Sequence, residues 1–430
     1  MAFLNKLVWS VAISLIFLNS IYFSFKLKFP QLKFKKIKES LKNNDNVDGI
    51  STKDSLFISL GSKLGAGSLA GISFAIFYGG IGTIFWIWIT TFFSSINCFV
   101  ENILSCLYKE KDGKYCKGGP SFYIKKGLNN KKLSYIYSIL AICAYVFGFL
   151  TIQNNTITKL VTTSYKVSPI TVSSIITIIS LVLIFKGIKS ISNVCNKIVP
   201  FMTIVYIALG IVIILFNITK VPTIMISIIK SAFTIKSATG GIIYTFLVGV
   251  QKAIFAQEAG VGTSAIASGS NNNKNYMKQG FMGIIETYFI GIIITTVTAF
   301  LVILSNFENL NFSNINGIEI TKYSFIYHFG KLGNIFLLVI LILFAFSTII
   351  TCYYYGESNL KNVTSNKKAI FILKIISVVT IFMGGVISST TAWNIGDILI
   401  GILAIINIYS MFKLKGVIFS KVKKCDKINT

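Results

Sequence analysis

The sequence predicts an all-α polytopic membrane protein with eleven transmembrane helices, and three observations carry that expectation. Of 430 residues, 53% are hydrophobic and only 13% charged, with a mean hydropathy of +0.73, too apolar for a water-soluble globule. Apolar runs of about twenty residues, the length that crosses a bilayer, recur along the whole chain. One of them, Ser55 to Ile81, is broken by Gly65-Ala66-Gly67-Ser68 and again by Gly71. Lipid cannot hydrogen-bond a backbone, so such breaks are tolerated only where protein or a water-filled cavity shields them.

The expected spans fall near 7–25, 55–78, 82–107, 136–158, 168–185, 197–217, 240–262, 280–305, 333–356, 369–388 and 393–413. The first lacks a clear small-residue cleavage site and runs directly into a basic stretch, so it is expected to be a retained anchor rather than a signal peptide. In the basic stretch that follows, Leu32, Phe34, Ile37 and Leu41 interleave with lysines. Two readings fit that pattern: a short interfacial helix lying on an anionic leaflet, or a solvated basic linker.

Lysine bias sets the expected orientation. Lys26 to Lys53, Lys109 to Lys132, Lys186 to Lys197, Lys274 to Lys278, Lys361 to Lys368 and the tail lysines Lys421, Lys423, Lys424 and Lys427 share one side if the N-terminus is outside and the C-terminus inside. The opposite connections at 79–81 and 389–392 carry no lysine, and 306–332, with Glu308 and Glu319, is long and polar. Lys159, Lys166, Lys220, Lys230 and Lys236 fall on the outer side against the trend.

A formal net charge of +27 would suit a nucleic-acid partner, but the chain holds no arginine, so no guanidinium is present for bidentate readout. No nucleic-acid partner and no enzyme activity are expected. The seven cysteines form no CxxC pair and no metal-like spacing, and are expected to be free thiols.

In the glycine break, free amides near Gly65, Gly67 and Ser68 suit a carboxylate at a half-helix N-terminus, while the preceding half-helix offers carbonyls to a hard cation. The plainer reading is that small residues here let helices pack closely. Ser347 and Thr348 add hydroxyl oxygens of the kind such a cation prefers, although Ser and Thr in membrane helices commonly bond back to their own helix. Gln153 and Asn155 place amides in the fourth span, suited to a polar ligand or to helix–helix hydrogen bonds. Glu101, Glu258, Glu286 and Asp397 sit in or near apolar spans, where carboxylates are costly and are functional candidates by default. Glu258 is read as structural, beside Lys252. His328 is read as a surface histidine, not a proton sensor.

The blocks GAGSLAG, GIGTIFWIW, GGPSFYI (118–124), IQNNTI (152–157), FAQEAGVGT (255–263), LFAFSTII (343–350) and TAWNIGDILIGILAIIN, in that order from about 55 to 415, resemble the signatures of the alanine/glycine:cation symporter family. The resemblance implies a leucine-transporter-type fold: two inverted five-helix repeats, 55–217 and 240–413, joined by 218–239, with one extra N-terminal helix in 1–54 and a basic tail, 414–430. It implies a substrate site at Gly65, Gly67, Ser68, Gln153 and Asn155, and a cation site between the broken helix and the eighth core helix, at Ala66, Ser347 and Thr348. Glu101 and Glu286 are possible coupling acids. The chain departs from the family at Ser68, where an asparagine is usual, and at Gln257, where the family has NEAG.

The function so implied is Na⁺-coupled uptake of a small neutral amino acid, alanine or glycine, by a multi-pass protein of the cell membrane. Its partners are the substrate, Na⁺ and lipid, with no cofactor and no metal beyond the coupling ion. A proton-coupled transporter, or a transport-inactive amino-acid sensor, is the alternative.

Overall fold

A computed structural model describes residues 2–42, 48–234, 241–307 and 316–428. Expected features at Lys236 and Glu308 lie outside those residues. The described chain is helical apart from one antiparallel hairpin, β1 (Glu110–Asp112) and β2 (Tyr115–Lys117).

The first span is α1 (Ala2–Lys26), followed by α2 (Phe34–Lys42). A capping box opens α3 (Thr52–Lys63): Ser51 Oγ accepts from the Asp54 amide and Asp54 accepts from the Ser51 amide. The chain then bends by 54° into α4 (Gly67–Gly79), whose first turn, Gly67–Gly71, is a wide π-type turn. The predicted interruption is therefore a true break.

There follow α5 (Thr83–Tyr108), α6 (Pro120–Gly127), α7 (Lys131–Tyr165), α8 (Pro169–Lys186), α9 (Ile188–Phe216) and α10 (Val221–Ala232). The later part comprises α11 (Gly241–Gln257), α12 (Thr263–Gly269), α13 (Tyr276–Ile303), α14 (Gly317–Phe329), α15 (Lys331–Val363), α16 (Lys367–Val386), α17 (Ser389–Lys413) and α18 (Lys415–Ile428).

Among the described residues, nine helices are long and apolar enough to cross a bilayer, and the bent pair makes ten. The remaining expected crossing, 240–262, is not one helix. α11 stops at Gln257, and Glu258, Gly260 and Gly262 all take positive φ (54°, 83° and 105°) before α12 begins. Left-handed backbone at three of five positions cannot continue a right-handed helix. The chain thus holds a second broken helix, which glycine spacing alone did not reveal. The outer connection expected to be a long polar loop also contains a helix, α14, capped by Asn316 and Glu319.

The two broken pairs sit at the centre. α3 packs on α9, α12 and α15, and α4 packs on α11 and α14. α5 crosses against α11 and α13, while α16 closes the side of α7 and α8. α1 lies outside this set, against α5 and α17. Hairpin, pre-α3 segment and the loop after α12 meet at one end: Asn272 Nδ2 donates to the carbonyls of Asp48 and Lys114 (2.6 and 2.9 Å), and Lys361 pairs with Asp112 at 2.9 Å.

Candidate substrate and cation site

At the break between α3 and α4, the chain leaves helical hydrogen bonding at Leu64, whose amide still reaches the Leu60 carbonyl (2.9 Å). Two groups freed by this break find partners on other helices. The Ala66 amide donates to Gln153 Oε1 of α7 at 2.9 Å. The Gly61 carbonyl accepts from both Ser347 Oγ (3.1 Å) and Thr348 Oγ1 (3.0 Å) of α15. Each hydroxyl also donates back to the Phe344 carbonyl, so the helix-internal bonding expected of serine and threonine is present together with the long-range contact.

Gly65 is wedged between these helices. A Cβ there would lie 2.7 Å from both Gln153 Oε1 and Thr348 Oγ1, inside van der Waals contact. Glycine is required at this position by close approach. Gly67 faces an aromatic ring: its Cβ would meet Phe255 at 3.0 Å. Phe255 in turn packs on Phe149 and Trp393, forming an aromatic roof beside the break. Ser68 turns its hydroxyl back to the Gly65 carbonyl (3.0 Å), and its own carbonyl accepts from Thr298 (3.1 Å).

The structure therefore brings Gly65, Ala66, Gln153, Ser347 and Thr348 together, all buried. It sets Asn155 apart. That amide donates to the Gly384 and Ile387 carbonyls (3.0 and 2.8 Å) and accepts from Ser389, joining α7 to α16 and α17. Asn155 also lines a cavity of about 200 Å³ beside Ala70 and Gly71 of α4, with Phe74, Lys252, Trp393 and Asp397 on its walls.

The acids separate in the same way. Glu286 of α13 forms a fully buried ion pair with Lys63 of α3 at 3.0 Å, and Ser264 of α12 also donates to it. Glu101 of α5 accepts from Asn407 of α17 at 2.7 Å, and its Oε1 has no hydrogen-bond partner among the described residues. Lys252 does not serve Glu258: it pairs with Asp397 at 3.6 Å, over the faces of Phe74, Phe255 and Trp393. Glu258 lies in the second break instead, buried and in left-handed conformation. His328 is half-buried rather than on the surface, with Nε2 2.9 Å from the Leu301 carbonyl. No disulfide joins the cysteines, four of which are buried.

Lys63 went unnoticed in the sequence. The available signal was a lone cation two residues before the break in an apolar run, which can remain there only with a counter-charge.

The donor set at the first break is carbonyl and hydroxyl oxygen, which suits a hard cation. A model of the sodium:alanine symporter family matches residues 1–429. The chain belongs to the sodium:alanine symporter family. It is similar to the probable sodium/glutamine symporter GlnT of Bacillus subtilis, 31% identical over 97% of this chain and 88% of that protein. Similarity to the sodium/alanine symporter AgcS of Methanococcus maripaludis is 29% over 99% and 96%. A crystal structure of MhsT in complex with L-phenylalanine superposes with a TM-score of 0.62 over 84% of this chain and 89% of that one, at 12% identity. That likeness shows the fold, of leucine-transporter type. This member of the family is a multi-pass membrane transporter of the Na⁺-coupled amino-acid symport class, not an enzyme.

Proposed function

We propose that this symporter moves a small neutral amino acid, alanine or glycine, into the cell with Na⁺ by alternating access. The observation that carries the reading is the convergence at the first break. One helix, α7, holds the freed amide side through Gln153, and another, α15, holds the freed carbonyl side through two hydroxyls. In this reading Na⁺ binds among the Gly61 carbonyl, the hydroxyls of Ser347 and Thr348, and the carbonyl of Ala66. In this reading the substrate carboxylate binds at the amides of Gly65, Gly67 and Ser68, with Gln153 beside it. Asn155 stands apart from this set, on the wall of the neighbouring cavity. The Phe255 ring over Gly67 favours a short substrate side chain.

In this reading the repeats are 55–217 and 240–413, each opening on a broken helix. The lysine-rich end, which includes the hairpin and α18, faces the cytoplasm, so the N-terminus is outside. GlnT and AgcS carry glutamine and alanine in their names. Substrate choice is therefore assayed directly, by uptake of labelled alanine, glycine and glutamine into proteoliposomes under a Na⁺ gradient. Replacing Ser347 and Thr348 together by alanine removes two hydroxyl oxygens from the cation site and should lower Na⁺-driven uptake by at least about tenfold, equivalent to about 1.4 kcal/mol, while leaving insertion intact. Full uptake by the double variant overturns the site.

A second reading assigns a proton to Glu101, because its Oε1 is buried and unpartnered among the described residues; Glu286 is already neutralised by Lys63. Uptake driven by a pH gradient alone, and lost in Glu101→Gln, would establish that reading. Substrate binding without accumulation under either gradient would establish a sensor.

A further inference from the structure

α2 presents three distinct edges. Its inner edge, with Ser40 buried and Ile37 half-buried, packs on α13. A second edge carries Phe34 and Leu41, which lie about 20° apart around a helix of 3.6 residues per turn. These side chains are 64% and 53% exposed, and Leu32 in the preceding turn is 50% exposed. The third edge carries Lys35, Glu39 and Lys42, all exposed, with Lys38 between the last two edges. From Lys26 to Lys42 there are seven lysines and one acid, Glu39.

The other short terminal helix, α18, is built differently. It buries Ile418 and Val422 against the protein, and its Phe419 packs on Tyr22 and Phe23. α18 has covered its apolar face and α2 has not. α2 directly follows the membrane-length helix α1, whose Leu18, Ile21 and Phe25 are also exposed. Position, bare apolar edge and flanking lysines together match an anionic bilayer surface.

α2 is also fastened to the transport core. Tyr288 of α13 donates to the Gln31 carbonyl at 3.1 Å, and Gln31 Nε2 donates to Ser24 of α1 at 2.6 Å. Two residues from Tyr288, Glu286 holds Lys63 at the end of half-helix α3.

We infer that α2 is an anionic-phospholipid docking helix, seating Leu32, Phe34 and Leu41 among acyl chains and Lys35, Lys38 and Lys42 on phosphates. Its seating steadies α13 and, through Lys63–Glu286, sets the transport rate. The rate component rests on the transport reading above; the docking component does not.

The full-length protein is placed in nanodiscs of phosphatidylcholine, with or without one-quarter phosphatidylglycerol, and amide hydrogen exchange is followed by mass spectrometry. Exchange over 30–42 should slow by at least about threefold with phosphatidylglycerol, as the surface attraction of several lysines implies. The combined Lys35→Gln, Lys38→Gln, Lys42→Gln variant should lose that difference. The matched Lys421→Gln, Lys423→Gln, Lys424→Gln variant should keep it. Equal exchange of the wild type in both lipids overturns docking. Protection in pure phosphatidylcholine that appears only with two copies per disc assigns the edge to a second copy and likewise overturns it. In proteoliposomes, phosphatidylglycerol should raise wild-type uptake but not that of the α2 variant. Lipid-dependent exchange without lipid-dependent uptake overturns the coupling to rate. Absence of uptake in every lipid counts against the transport reading and leaves the exchange result standing.

Discussion

Replacing Gly65 by alanine tests the centre of the site with one methyl group. The new Cβ would sit 2.7 Å from Gln153 Oε1 and from Thr348 Oγ1, and 2.8 Å from Gln153 Nε2. Neither neighbour can yield without loss. Thr348 is tied to the Gly61 and Phe344 carbonyls, and Gln153 is the acceptor for the Ala66 amide. Forcing a methyl into a packed site costs about 1–3 kcal/mol, and stranding the buried Ala66 amide costs about 1–3 kcal/mol more. With partial relaxation the combined effect is about 2–4 kcal/mol, roughly thirty- to a thousandfold in the population that holds both half-helices together. Na⁺-driven alanine uptake into proteoliposomes reads this directly, and thermal unfolding in detergent checks that the variant is folded. Gly416→Ala is the control, because nothing lies within 4 Å of its added Cβ. Wild-type uptake and Na⁺ affinity in folded Gly65→Ala would refute the wedge between α7 and α15.

Three further outcomes follow from particular contacts. Lys63→Met or Glu286→Met alone should destabilise the protein by about 3–5 kcal/mol, since each strands a buried charge. The double variant should recover most of that loss in a thermal melt; equal melting of the single variants and wild type would remove the ion pair from the account. Burial lowers the His328 pKa below its usual 6.5, with the Leu301 carbonyl opposing. The unfolded chain then binds more protons, so stability falls as pH drops from 6.5 toward the folded value. Melts at pH 7.5 and 5.5 should show a smaller acid loss in His328→Gln than in wild type. Finally, Asn155→Ala removes two bonds to carbonyls at the end of α16, at about 1 kcal/mol each. It should lower thermal stability more than it lowers Na⁺ affinity; a selective loss of Na⁺ affinity would place Asn155 in the cation site.

Much of this architecture was legible from one-dimensional pattern. Bilayer thickness fixes span length, so apolar runs marked the helices to within a few residues at most ends. The break at Gly65–Ser68 was visible because glycine has no role in an ordinary lipid-facing helix at that density. The second break was concealed: α11 ends at Gln257 in a sequence whose apolar composition continues, and its left-handed turn uses Glu258, a residue that rarely adopts it. α14 was concealed for the opposite reason, because its capping residues lie in a polar stretch that pattern alone assigns to a loop.

Pairing was beyond sequence. Glu258 and Lys252 are six positions apart, close enough to suggest an ion pair, yet the helix end between them sends Lys252 to Asp397 on α17. Glu286 is 223 positions from Lys63 and makes the buried bond. The sequence by itself determined that this chain lives in a membrane, where most of its long apolar helices run, where its lysines cluster and where the first break falls, because bilayer thickness, backbone satisfaction and charge are local constraints. The tertiary structure alone decided which oxygens meet the freed backbone groups, which acid neutralises Lys63 and which helix keeps a bare apolar edge. Those depend on side chains brought from distant helices to within about 3 Å, a condition no local pattern encodes.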